Sequence, residues 1–334
     1  MPYRGRFAPS PTGPLHLGNA RTALLSWLAA RAAGGRWILR VEDLDRPRVR
    51  PGMEARQLEE LSWLGLEWDE GPDLGGPCGP YRQSELGRRY EAALEALRAA
   101  GRAYPCFCSR AEIAAAASAP HGPGEEGPVY PGTCRGLPAA EVARRRQERR
   151  PAWRLAVEPG PVRFEDGIHG PCAFEVADFV VARADGIAAY QLAVAVDDAA
   201  MGVTDVVRGD DLLPSTARQL LVYRALGLAA PRFAHVPLVV GEDGERLAKR
   251  HAALSLGELK AAGAEPRVVT GFLAALSGLC PPGEAIGPGE LLPAFALARI
   301  PKGPAVARAA EVARLAGPGT ARVQGGTGSA MRDP

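Results

Sequence analysis

Apolar and polar positions in the first part of the chain follow a pattern that is typical of α/β proteins. Residues 4–9 and 36–42 are short, apolar-rich segments bounded by turn residues, which predicts two buried strands. Between them, the segment from Leu15 to about Ala33 carries apolar residues at helical spacing. The three segments together predict a βαβ unit and therefore an α/β fold.

The pattern beyond this unit predicts further helices and strands. Helices are expected over residues 52–64, 214–226 and 256–276, and around the apolar stripe of Leu86, Tyr90, Leu94 and Leu97. Short strands are expected within residues 152–207 and over 233–240. From about residue 315 the chain is rich in Gly, Ala and Arg without periodicity, and we expect this tail to be disordered.

Composition narrows the class of protein. The 334 residues are 46% apolar and 23% charged, which is typical of globular proteins with one large or two ordinary domains. No apolar run approaches the roughly 20 residues that span a bilayer, and the N-terminus has no apolar signal region. We therefore expect a cytoplasmic protein without membrane contact. The net charge of +2 means that any contact with nucleic acid must come from local patches.

The turn between the first strand and the first helix predicts a phosphate site. It contains two prolines and a glycine, and it places His16 and Gly18 at the N-terminus of the helix. Unpaired N–H groups and the positive end of the helix dipole favour anions there, and Gly18 lets a phosphate or a flat ring approach the backbone. The alternative is a Pro/Gly turn that only caps an ordinary helix.

A second candidate is the basic segment 241–250, which follows the strand predicted over 233–240. It contains Lys249, and the whole chain has only three lysines. A cation on a loop can close on phosphates and neutralise the charge that develops as an anhydride forms. The alternative is a solvated basic turn.

Charged residues at three predicted strand ends suggest a binding site for an amino acid. Arg6, Glu42 and Arg208 occupy these positions, and ligands of open α/β sheets bind beyond the carboxyl ends of the strands. Two guanidiniums and one carboxylate suit a ligand with two carboxylates and an ammonium group, and we expect the hydroxyl of Tyr190 to close the pocket. Taken singly, each of these residues is also compatible with a surface salt bridge.

The cysteines contain one pattern with the spacing of metal ligands. Cys106, Cys108 and Cys134 supply three sulfurs, whereas tetrahedral Zn²⁺ needs four ligands. Tyr130 and His121 are both candidates for the fourth position. The alternative is a set of free thiols, since disulfides are rare in cytosolic proteins.

These motifs resemble those of class I aminoacyl-tRNA synthetases specific for glutamate. His16-Leu17-Gly18-Asn19, following Ala8-Pro9-Ser10-Pro11-Thr12-Gly13, is similar to the ATP signature of that class. Segment 246–250 resembles the KMSKS loop, in which Lys249 alone matches by identity while Arg246, Ala248 and Arg250 replace a Lys and two Ser. The cysteine pattern, with Tyr130 four residues before Cys134, resembles the zinc motif of the short paralogues called glutamyl-Q tRNA(Asp) synthetases.

The resemblance implies a fold and its divisions. The fold is a Rossmann-like class I catalytic domain with an inserted zinc-bearing α+β subdomain and a short helical C-terminal extension. The two halves of the catalytic domain are expected at residues 1–75 and 189–255, and the insertion at 76–188. The extension is expected at 256–314 and the disordered tail at 315–334.

The resemblance also implies which residues form the sites. Catalytic roles are expected for His16 and Lys249. The residues expected to bind ATP are Pro9, His16, Gly18, Asn19, Arg246 and Lys249. The residues expected to bind glutamate are Arg6, Phe7, Ala8, Pro9, Ser10, Glu42, Tyr190 and Arg208. A structural zinc ion is expected on Cys106, Cys108, Tyr130 and Cys134, because a Tyr is the fourth ligand in that family.

The implied reaction has two steps. ATP, with Mg²⁺, activates L-glutamate, and the glutamyl group then passes to the queuosine base in the anticodon stem-loop of tRNA(Asp). Two features favour the short paralogue: the chain continues only briefly beyond Arg250, and Val194 stands where full-length glutamyl enzymes are expected to have a polar residue. We expect a monomer. The alternatives are a truncated glutamyl-tRNA synthetase that charges tRNA(Glu) and an inactive, synthetase-like RNA-binding protein.

Overall fold

The computed structural model describes residues 2–109, 111–113, 129–245 and 255–316. The α-helices of this part are α1 (Leu17–Ala32), α2 (Met53–Trp63), α3 (Gly87–Ala99), α4 (Ala139–Glu148), α5 (Tyr190–Ala200), α6 (Leu213–Leu226), α7 (Leu256–Ala261), α8 (Pro266–Ala275) and α9 (Ala309–Leu315). The strands are β1 (Arg4–Phe7), β2 (Arg36–Leu39), β3 (Ala103–Cys106), β4 (Ala152–Leu155), β5 (Val162–Asp166), β6 (Gly170–Phe174), β7 (Phe179–Ala182), β8 (Asp205–Gly209), β9 (Arg232–Val236), β10 (Val239–Val240) and β11 (Ala305–Val306).

The main sheet has six strands in the order β2-β1-β8-β9-β5-β6. Strand β1 pairs in parallel with β2 on one side and with β8 on the other, and β8 pairs in parallel with β9. The boundary between β1 and β8 is therefore a topological switch point, where open α/β sheets bind their ligands. Arg6 and Arg208 lie near the carboxyl ends of these two neighbouring strands. The prediction of an α/β fold with a parallel sheet is confirmed.

Both faces of the sheet are covered at β2, β1, β8 and β9, which explains why most residues of these four strands are buried. On one face, Phe7 and Trp37 stack with their ring centroids 6.2 Å apart in the core that includes α1. On the other face, Ile38 is buried together with Leu192 of α5. Because successive strand residues point to opposite faces, Arg6 shares the second face with Ile38, its register partner.

A smaller antiparallel sheet has the order β3-β4-β7. In this sheet the ring of Trp153 on β4 lies under the guanidinium of Arg98, whose carbon is 4.3 Å from the ring centroid. The hairpin β5–β6 follows β4 in the chain but joins the main sheet beside β9. Residues 76–188 thus contribute to both sheets, and the predicted domain boundaries stay a prediction.

The strand predicted over 233–240 is divided in the structure. Strand β9 ends at Val236, before Pro237, which has no N–H to contribute to a ladder. The chain resumes as β10, which pairs in parallel with β11 instead of joining the main sheet.

The helix predicted over 256–276 is also divided. The backbone at Gly263 has a φ of 82°, which ends α7, and Pro266 opens α8. Leu315 and Ala316, the first two residues of the tail predicted as disordered, are buried, and the rest of that prediction concerns residues 317–334, which lie outside the described part. Within the described ranges, none of the helices has both the length and the apolar character that crossing a bilayer requires.

Candidate functional site

The turn after β1 leads to His16, whose side chain caps helix α1. Its Nδ1 accepts a hydrogen bond from the backbone N–H of Asn19, with 3.3 Å between the two nitrogens. Because Nδ1 is an acceptor, the proton of the neutral imidazole is on Nε2, which is therefore a donor. Burial lowers the pKa of His16 and favours this neutral form. The predicted anion site thus has an imidazole N–H beside the N-terminus of the helix.

Gly18 is packed against the same imidazole. A Cβ atom at position 18 would lie 3.1 Å from both Cε1 and Nδ1 of His16. Carbon atoms in good contact are about 3.5–4.0 Å apart, so a larger residue would require the ring to shift by a few tenths of an ångström. Glycine here maintains the position of His16, in addition to leaving the helix N-terminus open.

The chain that follows the basic segment returns to this turn. Ser255 pairs with His16 in an isolated bridge, and the N–H of Leu256 donates to the carbonyl of Leu15 at 2.8 Å. Arg246 and Lys249, the two predicted ATP-binding residues of the basic segment, lie outside the described residues. Their roles stay predictions.

Four charged side chains form a chain of ion pairs on the second face of the sheet. Asp198 of α5 accepts hydrogen bonds from Nε of Arg6 at 3.2 Å and from Nη1 of Arg40 at 2.6 Å. Arg40 also donates to Glu42, at 3.0 Å. Two residues that were predicted as glutamate ligands, Arg6 and Glu42, are therefore linked through two residues that were not predicted.

The protonation states in this chain follow from burial and from the neighbouring guanidiniums. Burial raises the pKa of Glu42, and Arg40 and Arg6 oppose that effect. Burial alone would also raise the pKa of Asp198, but Arg6 and Arg40 outweigh it, so the pKa of Asp198 lies below its usual value. Asp198 is therefore a permanent counter-ion between two arginines.

Arg208 is buried near the end of β8, yet one of its nitrogens has no hydrogen-bond partner among the described residues. Its Nε donates to Nε2 of His235 at 3.0 Å, and its Nη2 donates to Oγ1 of Thr216 at 2.7 Å. The third nitrogen, Nη1, is buried and makes no hydrogen bond with any residue in the described ranges. Burial lowers the pKa of Arg208. Because a buried N–H of a charged group without an acceptor is costly, Nη1 indicates the place of an anionic ligand.

Tyr190 and Glu42 open onto a cleft of about 1720 Å³, which Ser10 also lines. Burial, with a smaller contribution from Glu42, raises the pKa of Tyr190 to about 12, and Arg208 and Arg6 oppose the rise. Glu42, Tyr190 and Ser10 thus line one cleft, and Arg6 and Arg208 act electrostatically on the same phenol.

The turn residues Phe7, Ala8 and Pro9 contribute to the candidate site through the backbone of the turn. The side chain of Phe7 lies in the core against Trp37 and not in the cleft. The carbonyls of Phe7 and Pro9 accept hydrogen bonds from the N–H groups of Arg40 and Glu42, both at 3.0 Å. These backbone bonds hold Glu42 beside the turn, while Ala8 is half-buried between them.

The three predicted cysteine ligands converge at one end of the smaller sheet. The Sγ atoms of Cys106, Cys108 and Cys134 all lie within 4.8 Å of one another. The hydroxyl oxygen of Tyr130 is 3.5 Å from Sγ of Cys106 and 3.9 Å from Sγ of Cys108. The guanidinium of Arg154 stacks on the Tyr130 ring, 3.7 Å from its centroid, and fixes its orientation.

These distances fit the donor set of a tetrahedral zinc site. With Zn–S of about 2.3 Å and Zn–O of about 2.0 Å, two sulfurs lie roughly 3.8 Å apart and a sulfur lies roughly 3.5 Å from an oxygen. The 3.6 Å separation between the sulfurs of Cys108 and Cys134 and the 3.5 Å separation between Cys106 and Tyr130 agree with this arrangement. His121, the other candidate for the fourth position, lies outside the described residues.

Sequence reasoning missed the residues that hold the predicted ligands in place. The sequence offered one indication for Asp198: it follows Asp197, and two adjacent acids are unexpected near the C-terminal end of the largely apolar helix α5. His235 is not flanked by any sequence motif that would indicate a role. The structure shows that it is completely buried and contacts Arg208 directly.

Comparisons with known proteins agree with this geometry. A family model described as "tRNA synthetases class I (E and Q), catalytic domain" matches residues 3–285. A protein of Symbiobacterium thermophilum named Glutamyl-Q tRNA(Asp) synthetase is 57% identical over 95% of this chain and 99% of its own length. A protein of Halorhodospira halophila named Glutamate--tRNA ligase 1 is 49% identical over 91% of this chain and 65% of its own length. The crystal structure of a glutamate tRNA ligase from Elizabethkingia meningosepticum, in complex with its amino acid, has a TM-score of 0.81 and 32% identity, covering 93% of this chain and 68% of that one.

Proposed function

This chain belongs to the family of class I tRNA synthetases for glutamate and glutamine, and we propose on this basis that it transfers activated L-glutamate to the queuosine base of tRNA(Asp). The family membership makes it a ligase and confirms the predicted class I catalytic fold. Its relatives support activation of glutamate and transfer to a tRNA. Transfer to queuosine in particular is the more specific part of the proposal.

The observation that carries the glutamate part is the buried Nη1 of Arg208, which has no hydrogen-bond partner in the described part of the chain. Within the described residues its guanidinium bonds only to His235, Thr216 and the carbonyl of Leu212, all uncharged, so no hydrogen-bond partner compensates the buried positive charge of Arg208. Glutamate at neutral pH has two carboxylates and one ammonium, so it has one negative charge in excess. Binding glutamate therefore neutralises a buried positive charge, which is favourable in a medium of low dielectric constant.

ATP is proposed to bind at the turn that contains His16, where Gly18 and Asn19 begin helix α1. An oxygen of a glutamate carboxylate attacks the α-phosphorus of ATP, a new O–P bond forms, and the O–P bond to pyrophosphate breaks. Nε2 of His16 donates to a phosphate oxygen, and Lys249 neutralises negative charge on the leaving group. Class I synthetases use ATP with Mg²⁺, which supplies further charge neutralisation. No protein nucleophile is required, because orientation and charge stabilisation provide the catalysis.

In the second step the acceptor is proposed to be a hydroxyl of the queuosine cyclopentene ring. Its oxygen attacks the carbonyl carbon of glutamyl-adenylate, a new C–O bond forms, and the C–O bond to the phosphate of AMP breaks with its electron pair going to AMP. The hydroxyl proton passes to solvent. The cleft lined by Ser10, Glu42 and Tyr190 extends to Cys108 and Tyr130 and offers space for a nucleotide beside the glutamate pocket.

Zinc has a structural role in this proposal. Cys106, Cys108, Cys134 and Tyr130 would hold it, and it would tie the loop after β3 to the segment before α4. Zinc supplies rigid cross-linking without redox chemistry at such a site. The distance-compatible donor set supports this proposal, and no step of the reaction uses the ion.

Queuosine as the acceptor is supported by the nearly end-to-end similarity to a relative named for that reaction. Val194 is buried one turn after Tyr190 on α5. Because full-length glutamyl enzymes are expected to have a polar residue at this position, Val194 also favours queuosine as the acceptor. Charging of tRNA(Glu) is the second candidate, and it is favoured by the similarity to a glutamate–tRNA ligase. A cytoplasmic location is part of the proposal, since tRNA is the substrate in either case.

The test uses radiolabelled glutamate, ATP and three acceptors: queuosine-containing tRNA(Asp), the same tRNA without queuosine, and tRNA(Glu). We expect label on the first alone, together with glutamate-dependent ATP–pyrophosphate exchange in the absence of tRNA. Label on tRNA(Glu) would support the second candidate instead. Absence of both exchange and transfer would indicate an inactive homologue.

A further inference from the structure

We propose that Asp166 and His235 are positioning residues that hold the guanidinium of Arg208 in the orientation that binds glutamate. The inference rests on the proposed function, because it assumes that Arg208 contacts the glutamate substrate. It concerns two buried residues to which neither the sequence motifs nor the family resemblance assigned a role. The supporting contacts join three neighbouring strands of the main sheet, β5, β9 and β8.

The first contact orients the guanidinium. Nε and Nη2 of an arginine form one edge of its planar fork, and in Arg208 this edge is occupied: Nε donates to Nε2 of His235 at 3.0 Å, and Nη2 donates to Oγ1 of Thr216 at 2.7 Å. Two hydrogen bonds on one edge fix the plane of the group. Nη1 on the other side is the nitrogen that remains without a partner among the described residues.

The second contact fixes the imidazole. Nδ1 of His235 lies 2.6 Å from Oδ2 of Asp166. Because Nε2 accepts from Arg208, the ring proton is on Nδ1, which donates to the carboxylate. The ring of His235 also stacks with that of Phe233, with ring centroids 6.2 Å apart and an angle of 14° between the rings. The imidazole therefore has one orientation and one tautomer.

The third contact anchors the carboxylate to the backbone. Oδ1 of Asp166 accepts hydrogen bonds from the N–H groups of Ile168 and His169, both at 3.0 Å, and from the N–H of His235 at 3.2 Å. Asp166 thus depends on main-chain donors and not on a mobile side chain. A continuous series of hydrogen bonds therefore runs from the backbone through Asp166 and His235 to Arg208, the residue that carries Nη1.

The protonation state of the pair suits this role. Burial lowers the pKa of His235 to about 4, although Asp166 opposes the change. Burial alone would raise the pKa of Asp166, but the hydrogen bonds from His235 and the backbone lower it to about 2. At neutral pH the imidazole is therefore neutral and keeps the acceptor lone pair on Nε2 that Arg208 requires. A histidine that carried a charge would present an N–H to the N–H of Arg208.

The test compares His235→Phe, which retains a ring but loses the acceptor, with His235→Gln, which can place an amide oxygen near the position of Nε2. Both are made in the wild-type protein and in Arg208→Ala, and thermal unfolding identifies any variant that does not fold. We expect His235→Phe to raise the KM for glutamate by about 10-fold or more in ATP–pyrophosphate exchange, with the KM for ATP unchanged. His235→Gln should recover most of this loss.

The double variant distinguishes positioning from general stability. If His235 acts through Arg208, adding His235→Phe to Arg208→Ala should not raise the KM for glutamate further. Additive effects, equal losses in the Phe and Gln variants, or a parallel rise in the KM for ATP would overturn the inference.

Direct binding of L-glutamate, measured by calorimetry without ATP, separates the inference from the proposed function. A wild-type protein that binds glutamate but shows no exchange would contradict the proposed function, and weaker binding in folded His235→Phe would still support the positioning role. Normal exchange with unchanged glutamate binding in His235→Phe would contradict the positioning role alone. A wild-type protein that does not bind glutamate would overturn both.

Discussion

The buried pair of His235 and Asp166 predicts a specific loss of stability in mild acid. The pKa of His235 is lowered to about 4 in the folded protein by burial, whereas a histidine in the unfolded chain titrates near 6.5. As pH falls below 6.5, protons bind to the unfolded chain but not to the folded one, so the free energy of unfolding decreases until pH approaches 4. Between pH 7 and pH 5 this group alone should cost about 2 kcal/mol of stability. Asp166, with a pKa of about 2, stays ionised over this range.

The assay is urea unfolding of the wild type and of His235→Gln at pH 7 and pH 5, with the free energy of unfolding taken from linear extrapolation. The Gln variant lacks the titrating group, while the other carboxylates and His16 are common to both proteins. We expect the wild type to lose about 2 kcal/mol more than the variant between the two pH values. Equal pH dependence in the two proteins would refute the conclusion that His235 is held neutral by burial.

Three further predictions concern the proposed sites. Lys249→Ala should lower the rate of glutamate-dependent ATP–pyrophosphate exchange by ~100- to 1,000-fold, the scale for losing one preorganised charge donor, with a smaller effect on glutamate affinity; an unchanged exchange rate would contradict this role. Metal analysis of protein purified without chelators should give about one zinc per chain, and Tyr130→Phe should lose it to a chelator faster than wild type. His121→Ala should match wild type, and the reverse pattern would make His121 the fourth ligand. Gly18→Ala, whose Cβ would lie 3.1 Å from the His16 ring, should lower exchange by about 10-fold or more without changing the KM for glutamate. A normal rate in that variant would mean that the position of His16 is not critical.

The elements of the fold could be predicted from local patterns. The βαβ unit and the first helix follow from apolar spacing and from turn residues, and the structure departs from them by only a few residues at each end. The strand predicted over 233–240 and the helix predicted over 256–276 are divided for local reasons that the apolar periodicity does not show. Pro237 ends β9, and Gly263 ends α7. A proline or a left-handed glycine changes backbone hydrogen bonding at one position without altering the apolar periodicity around it.

The residues of the candidate site could be predicted only in part from local sequence patterns. Arg6, Glu42 and Arg208 could be proposed because they end predicted strands, and the parallel order of the sheet explains why they meet. The ring of Phe7 enters the core, because adjacent strand residues point to opposite faces, and its predicted contact with glutamate stays a prediction. The cysteine ligands were predicted from spacing, and their sulfurs do converge.

The amino-acid sequence by itself determined the turn that places His16 at a helix N-terminus, the charged strand ends and the cysteine spacing, because each depends on residues close together in the chain. Only the tertiary structure decided which groups hold the charged side chains of the pocket in place. Arg6 finds its counter-ion Asp198 at a separation of 192 residues, and His235 finds Asp166 at a separation of 69 residues. Such pairs depend on the order of strands in the sheet and on the helix that covers each face. Local periodicity contains neither, because long-range strand order is set by the packing of the whole core.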